Sequence, residues 1–231
     1  MPDGVATALV MVVLVMVNVS EHLLRAPRWF GPLVVGGLLV LARCTGLSWS
    51  QLGLSSDRFR SGSRWALGAI AFVAGAYLAG VLLPLTRAAF LDTRYDLTVP
   101  GALLSAFVII PVSTILVEEI AFRSVLWGVL ARHSRTSSVL VTSSVLFGLW
   151  HILPSIHVAS ANHGVGEAVR GAGSSATGVA VVATVALTAI GGMVAGEMRR
   201  RSGSVLASVG VHWATNGLGV LFGLLAWRLA G

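Results

Sequence analysis

Three short motifs put ionisable residues inside stretches that otherwise read as membrane-spanning: Glu118, Glu119 and Arg123 in VEEIAFR, His151 in FGLWH, and His212 with Asn216 in HWATN. A charged side chain at the centre of a bilayer costs about 2.5 kcal/mol or more, so such groups keep partners or serve a site. Glu119 and Arg123 are four residues apart, on one helical face and within ion-pair reach. Glu118 projects about 100° away from Glu119. The adjacent carboxylates can therefore divide the work: Glu119 neutralised by Arg123 as an internal strut, Glu118 left to face a cavity as a general base that takes and returns a proton. Phe147 stands one turn before His151 on the same stripe and can shield or orient the imidazole. His212 and Asn216 share a face, so an imidazole and an amide can point at one small volume and donate to a developing oxyanion.

Taken singly, each motif has a plainer reading. Glu119 with Arg123 could be an ion pair between helices, His151 an interfacial histidine, and His212 with Asn216 polar contacts between spans. Together they make a sufficient set for activating water and holding an oxyanion. Other hydrolytic chemistries lack their residues. There is no HExxH or GxSxG sequence, and Asp3, Asp57, Asp92 and Asp96 all fall in expected loops or at the terminus, so no intramembrane aspartate pair exists. Cys44 is the single cysteine and has no nearby histidine in sequence. What remains is water activated by a glutamate, or by a metal held on Glu118, His151 and His212. His157 and His163 sit in the connection 154–173, read as a mobile, solvated loop without metal-ligand spacing.

These motifs need elements to carry them. The 231 residues are 55% apolar and 11% charged, outside the range of an ordinary soluble domain. Backbone groups in hydrocarbon must be satisfied within the segment, and the apolar runs are too long and too little alternating for barrel strands. The expectation is an all-α, polytopic helix bundle with about seven (six to eight) transmembrane helices, at roughly 4–19, 29–43, 65–86, 101–131, 137–153, 174–197 and 204–228. The chain reads as one integral-membrane domain, 1–231, with a core over 101–228 that carries all three motifs. The first run begins almost at Met1 without a basic flank or small-residue cleavage pattern, and reads as a retained span. Residues 48–65 are expected to lie along a membrane interface, with Trp49 and Trp65 at headgroup level.

All sixteen basic residues are arginine. They lie mostly in short loops, which argues against a nucleic-acid partner despite the net charge of +7. An inside amino terminus puts Arg43, Arg58, Arg60, Arg64, Arg132, Arg135, Arg199, Arg200 and Arg201 in the cytoplasm. It leaves Arg25, Arg28, Arg87, Arg94, Arg170 and Arg228 outside, a bias toward that orientation. At ~1.5 Å per residue, Glu118 and His151 lie roughly 20 Å from the span ends near Arg132 and Ser137, and His212 roughly 13 Å from Gly203. Those ends share one membrane face, so the three motifs can meet in one pocket. In a core about 30 Å thick, this depth sets Glu118 and His151 beyond the midplane, away from the cytoplasm.

The pattern EExxxR at Glu118-Glu119-Arg123, FxxxH at Phe147-His151 and HxxxN at His212-Asn216, in that order, resembles the CPBP family of intramembrane proteases. That family covers CAAX prenyl-protein endopeptidases and bacteriocin-processing or immunity proteins, also called Abi. QLGL at residues 51–54 is similar to the family's short polar stretch ahead of the core. The resemblance implies an all-helical membrane peptidase, multi-pass in the cell membrane, with its cavity open to the cytosol and a membrane-associated substrate, either a lipidated CAAX-type protein or a leader peptide. By the same resemblance Glu118 and His151 would activate water, His212 and Asn216 would stabilise the oxyanion, and Glu119 and Arg123 would support them. It leaves two options for cofactors, none or zinc, and a non-catalytic binding, transport or immunity role as the alternative.

Overall fold

The structure, a computed structural model, describes residues 3–24, 27 and 30–230. Every expected span is helical: α1 (Asp3–His22), α2 (Phe30–Cys44), α3 (Phe59–Leu82), α4 (Val99–Leu130), α5 (Thr136–Trp150), α6 (Ala176–Ser202) and α7 (Val205–Ala230). Among the described residues, five helical stretches are long and apolar enough to cross a membrane, six if α5 and the helix after it count as one broken span, while α2 is a shorter apolar helix. Large apolar side chains such as Phe72, Leu85, Val182 and Leu187 face outward, as lipid-facing surface should. The protein is an integral-membrane helix bundle. Arg25 and Arg28, which enter the loop-charge comparison, lie outside the described residues.

The core joins α1, α2, α4 and α5 around Leu14, Leu38, Phe122, Val125, Leu126 and Phe147. Leu47 and Leu52, from the segment between α2 and α3, are fully buried in the same cluster. Residues 48–65, which span most of that segment and the start of α3, carry the expectation of a position along a membrane interface. The backbone of the segment also bonds to the bundle: Leu52 O accepts from Ser124 Oγ (2.8 Å), Gln51 O from Arg199 Nη2 (2.6 Å), and Gly53 O from Val205 N (2.9 Å). Carbonyls left open by a non-helical stretch must find donors where water is scarce, and three helices supply them. Trp49 and Trp65 do remain exposed.

On the other side of the bundle α3 packs along α7, and α6 along α5. The α3–α7 approach is close enough that a Cβ on Gly210 would fall 2.3 Å from Ala66 Cβ. Only glycine fits there. The connection 154–173, expected as a mobile loop, is helical instead: Ile152–Ser155, Val158–Ala161, His163–Val169 and a 3₁₀ stretch, Arg170–Ser175. Asn162 caps one of these turns by accepting from Val165 N (3.0 Å), and its amide donates to Ala89 O (2.9 Å). Asp92 forms an isolated antiparallel bridge with Asn162, and its carbonyl accepts Trp227 Nε1–H at 3.0 Å. Local capping and these long-range bonds order a segment whose glycine and histidine content reads as loop.

Candidate active site

Glu118 and Glu119 occupy an ordinary helical turn, Leu116–Glu119, between two stretches of α4 widened to π geometry, Pro111–Ile115 and Ile120–Leu126. Pro111 lacks an N–H and crowds the preceding turn, a local reason for the first widening. π turns recur at functional sites because they re-aim side chains without breaking the helix. Here neighbouring helices bond the wide turn directly: Ser143 Oγ donates to Phe122 O (3.2 Å) and Arg199 Nε to Arg123 O (3.1 Å).

The strut forms as the spacing predicts. Arg123 Nη1 lies 3.2 Å from Glu119 Oε1, both side chains fully enclosed. The guanidinium also stacks over the Phe147 ring, 3.8 Å from its centroid, so Phe147 serves Arg123 as well as His151. A side chain at Gly192 would press on this group, since its Cβ would come within 3.2 Å of Arg123 Nη2. Glu119 has a second partner that the spacing within α4 gave no hint of. His212 Nδ1 sits 2.8 Å from the same Oε1. A carboxylate only accepts, so Nδ1 carries the proton and donates, which turns Nε2 toward Glu118.

His151 stands at the break after α5, where the helix axis turns by 44°. Its Nδ1 donates to Phe147 O at 2.7 Å, and in the neutral ring the free Nε2 is then an acceptor. Both Nε2 atoms converge on one carboxylate oxygen: Glu118 Oε2 is 4.0 Å from His151 Nε2 and 3.7 Å from His212 Nε2. The other oxygen, Oε1, accepts the Trp150 indole N–H at 3.0 Å. Asn18 of α1 fixes that position in turn, its amide donating to Trp150 O at 3.0 Å. Glu118 Oε2 is buried with no hydrogen-bond partner among the described residues. Trp150 and Asn18 were not singled out in the sequence. Indole N–H groups seek partners when buried, and Trp150 adjoins His151, but that gave no direction toward Glu118.

Beside this cluster lies a cavity of about 850 Å³, walled by α3, α6 and α7, whose lining includes Glu119, Phe147, His151, His212 and Asn216. Asn216 shares the wall with both histidines but makes no hydrogen bond to them. Glu118 sits behind the wall, reached through the two imidazoles. The lining runs from Arg64 and Met198, near the helix ends next to the 45–58 and 203–204 connections, inward to Thr188 and Asn216. His157 and His163 are elsewhere, with the His163 ring packed edge-on against Trp227. Among the described residues no three His, Cys, Asp or Glu side chains form a metal-holding group. The 3.7 and 4.0 Å separations at Glu118 Oε2 are wider than the roughly 3.3 Å between ligands that tetrahedral Zn–N and Zn–O bonds of about 2.0–2.1 Å require.

The fold and the site thus define a polytopic membrane protein with an enclosed glutamate–histidine centre next to a cleft. Residues 100–218, more than half the chain, match the family model of the type II CAAX prenyl endopeptidase, Rce1-like. The chain belongs to that family, a family of CAAX-type intramembrane proteases. No curated protein and no solved structure matches it.

Proposed function

We propose that the protein is an intramembrane endopeptidase that hydrolyses a peptide bond of a membrane-associated, prenylated CAAX-type substrate with water activated by Glu118 and His151. One observation carries this reading: Glu118 Oε2, buried and unpartnered, faces both imidazole Nε2 atoms at 3.7 and 4.0 Å. A water on Oε2 lies within reach of both rings, since gaps of this size suit a bridging molecule better than a direct bond. Glu118 takes a proton from that water as its oxygen attacks the carbonyl carbon, and returns it to the amide nitrogen as the C–N bond breaks. His151 orients the water through Nε2. His212, held in place by its Nδ1–H bond to Glu119, and the Asn216 amide line the wall where the tetrahedral oxygen develops, and a proton on His212 Nε2 together with the amide N–H would donate to it.

The cleft supports a cytoplasmic mouth. It starts at Arg64, on the face where the loop arginines are most numerous, and descends to His212 and Asn216. A site beyond the midplane is then still served from the cytoplasm, because the cleft spans the intervening depth. The test is cleavage of a prenylated peptide ending in a C-a-a-X sequence by protein in lipid vesicles. Glu118→Gln, His151→Ala and His212→Ala should each abolish cleavage while remaining monodisperse. Wild-type rates in Glu118→Gln would overturn the assignment.

A further inference from the structure

The cleft holds a cation that the hydrolytic scheme does not use. Arg64 is exposed, makes no ion pair or hydrogen bond to the described residues, and lines the same cavity as His212 and Asn216. The wall between is apolar, built from residues such as Gly68, Val73, Val194 and Val211. The one acidic side chain on the lining, Glu119, is already matched by Arg123 and His212. Among the described residues, an anion entering this cleft therefore finds one uncommitted arginine, at its mouth.

The register of the walls gives the distance from that cation to the site. A Cβ on Gly62 would meet Ser204, and one on Gly210 would meet Ala66, so α3 and α7 run parallel with Arg64 level with about Ser208. At ~1.5 Å per residue, His212 lies roughly 6 Å and Asn216 roughly 12 Å deeper than Arg64. An extended peptide covers ~3.3–3.6 Å per residue, so roughly two to four residues bridge the gap.

We infer that Arg64 binds the C-terminal carboxylate of the substrate and so sets which peptide bond reaches Glu118. This rests on the endopeptidase reading above. A carboxylate is costly in an apolar cleft without a counter-charge, and a guanidinium offers it a two-pronged, charge-assisted bond. Arg64 counts residues from the chain end, while the apolar wall accepts varied side chains between.

The experiment compares two synthetic prenylated peptides, identical except that one ends in a free carboxylate and the other in an amide, with protein in phosphatidylcholine vesicles. Wild type is expected to prefer the free acid through KM. Arg64→Ala should raise KM for the acid on the order of 10-fold with little change in kcat and erase the preference, and Arg64→Lys should restore part of it. A wild type indifferent to the chain end, or an Arg64→Ala protein that keeps the preference, overturns the inference while leaving the endopeptidase reading intact. Equal KM increases for both peptides that vary with added anionic lipid would assign Arg64 to a headgroup and overturn it too. Cleavage of neither peptide by wild type would overturn both readings.

Discussion

His212 donates its Nδ1 proton to Glu119 over 2.8 Å, joining residues 93 positions apart in the chain. The same carboxylate oxygen receives Arg123. Glu119 is therefore both the strut of α4 and the anchor of the α7 imidazole. Removing it leaves a guanidinium buried without its counter-charge, a change that costs about 3–5 kcal/mol for enclosed pairs. Glu119→Ala is expected to lower the melting temperature sharply or prevent isolation of folded protein. Glu119→Gln, which keeps an acceptor for Nδ1, should fold better than Glu119→Ala, and thermal unfolding in detergent ranks them. Equal stability of Glu119→Ala and wild type would refute the dual role.

Trp150 aims the neighbouring carboxylate. Its indole N–H occupies Glu118 Oε1 and leaves Oε2 toward the histidines. Trp150→Phe keeps the ring volume and deletes the donor. We expect kcat to fall on the order of 10-fold, with KM and the unfolding temperature changing less, because one buried hydrogen bond to a charged group is lost. An unchanged kcat would show that Glu118 does not depend on this bond for its direction.

The scheme uses water without a metal. Incubation with a strong chelator followed by desalting should leave the cleavage rate at its starting value. Loss of activity that zinc alone restores would replace Glu118 as base with Glu118, His151 and His212 as ligands.

At the far end of the bundle, Arg94 grips the Asp92 carboxylate with Nε at 2.8 Å and Nη2 at 2.7 Å. Burial works against the Asp92 charge, but the Arg94 bonds and charge outweigh it and hold the carboxyl below its usual range. A depressed folded value means the stabilisation is fully present above the unfolded value of about 3.9 and lost as pH falls through the lower folded value. Asp92→Asn should cost on the order of 1 kcal/mol near neutral pH, and the gap to wild type should close on acidification below about pH 4. Melting temperatures at a series of pH values check this, and a gap that persists at low pH would show the charge to be irrelevant.

The sequence exposes the parts of this molecule that depend on local periodicity. Seven apolar runs become seven helices, and i,i+4 spacing places Arg123 on Glu119 and Phe147 beside His151. Bonds between helices were not legible in this way. The pairing of His212 with Glu119, the indole on Glu118 and the docking of Gln51, Leu52 and Gly53 all depend on how distant helices face each other, which no spacing within one helix encodes. The connection 154–173 was misread for a related reason. Its short turns are held by Asn162 and by bonds to the 89–92 segment, partners remote in sequence.

The shared oxygen of Glu119 also bears on the order in which the molecule can be made. α4 precedes α7 in the chain and carries Glu119 with Arg123, so Glu119 Oε1 lacks its second partner until His212 is in place. A helix made later, α7, thus completes the hydrogen bonding of an earlier one, α4. Without the His212 face of α7 against it, Glu119 keeps Arg123 but loses its second partner inside the bilayer, where polar groups need partners. The residue that holds the imidazole in place thus makes the packing of α7 and the burial of the α4 ion pair parts of one event.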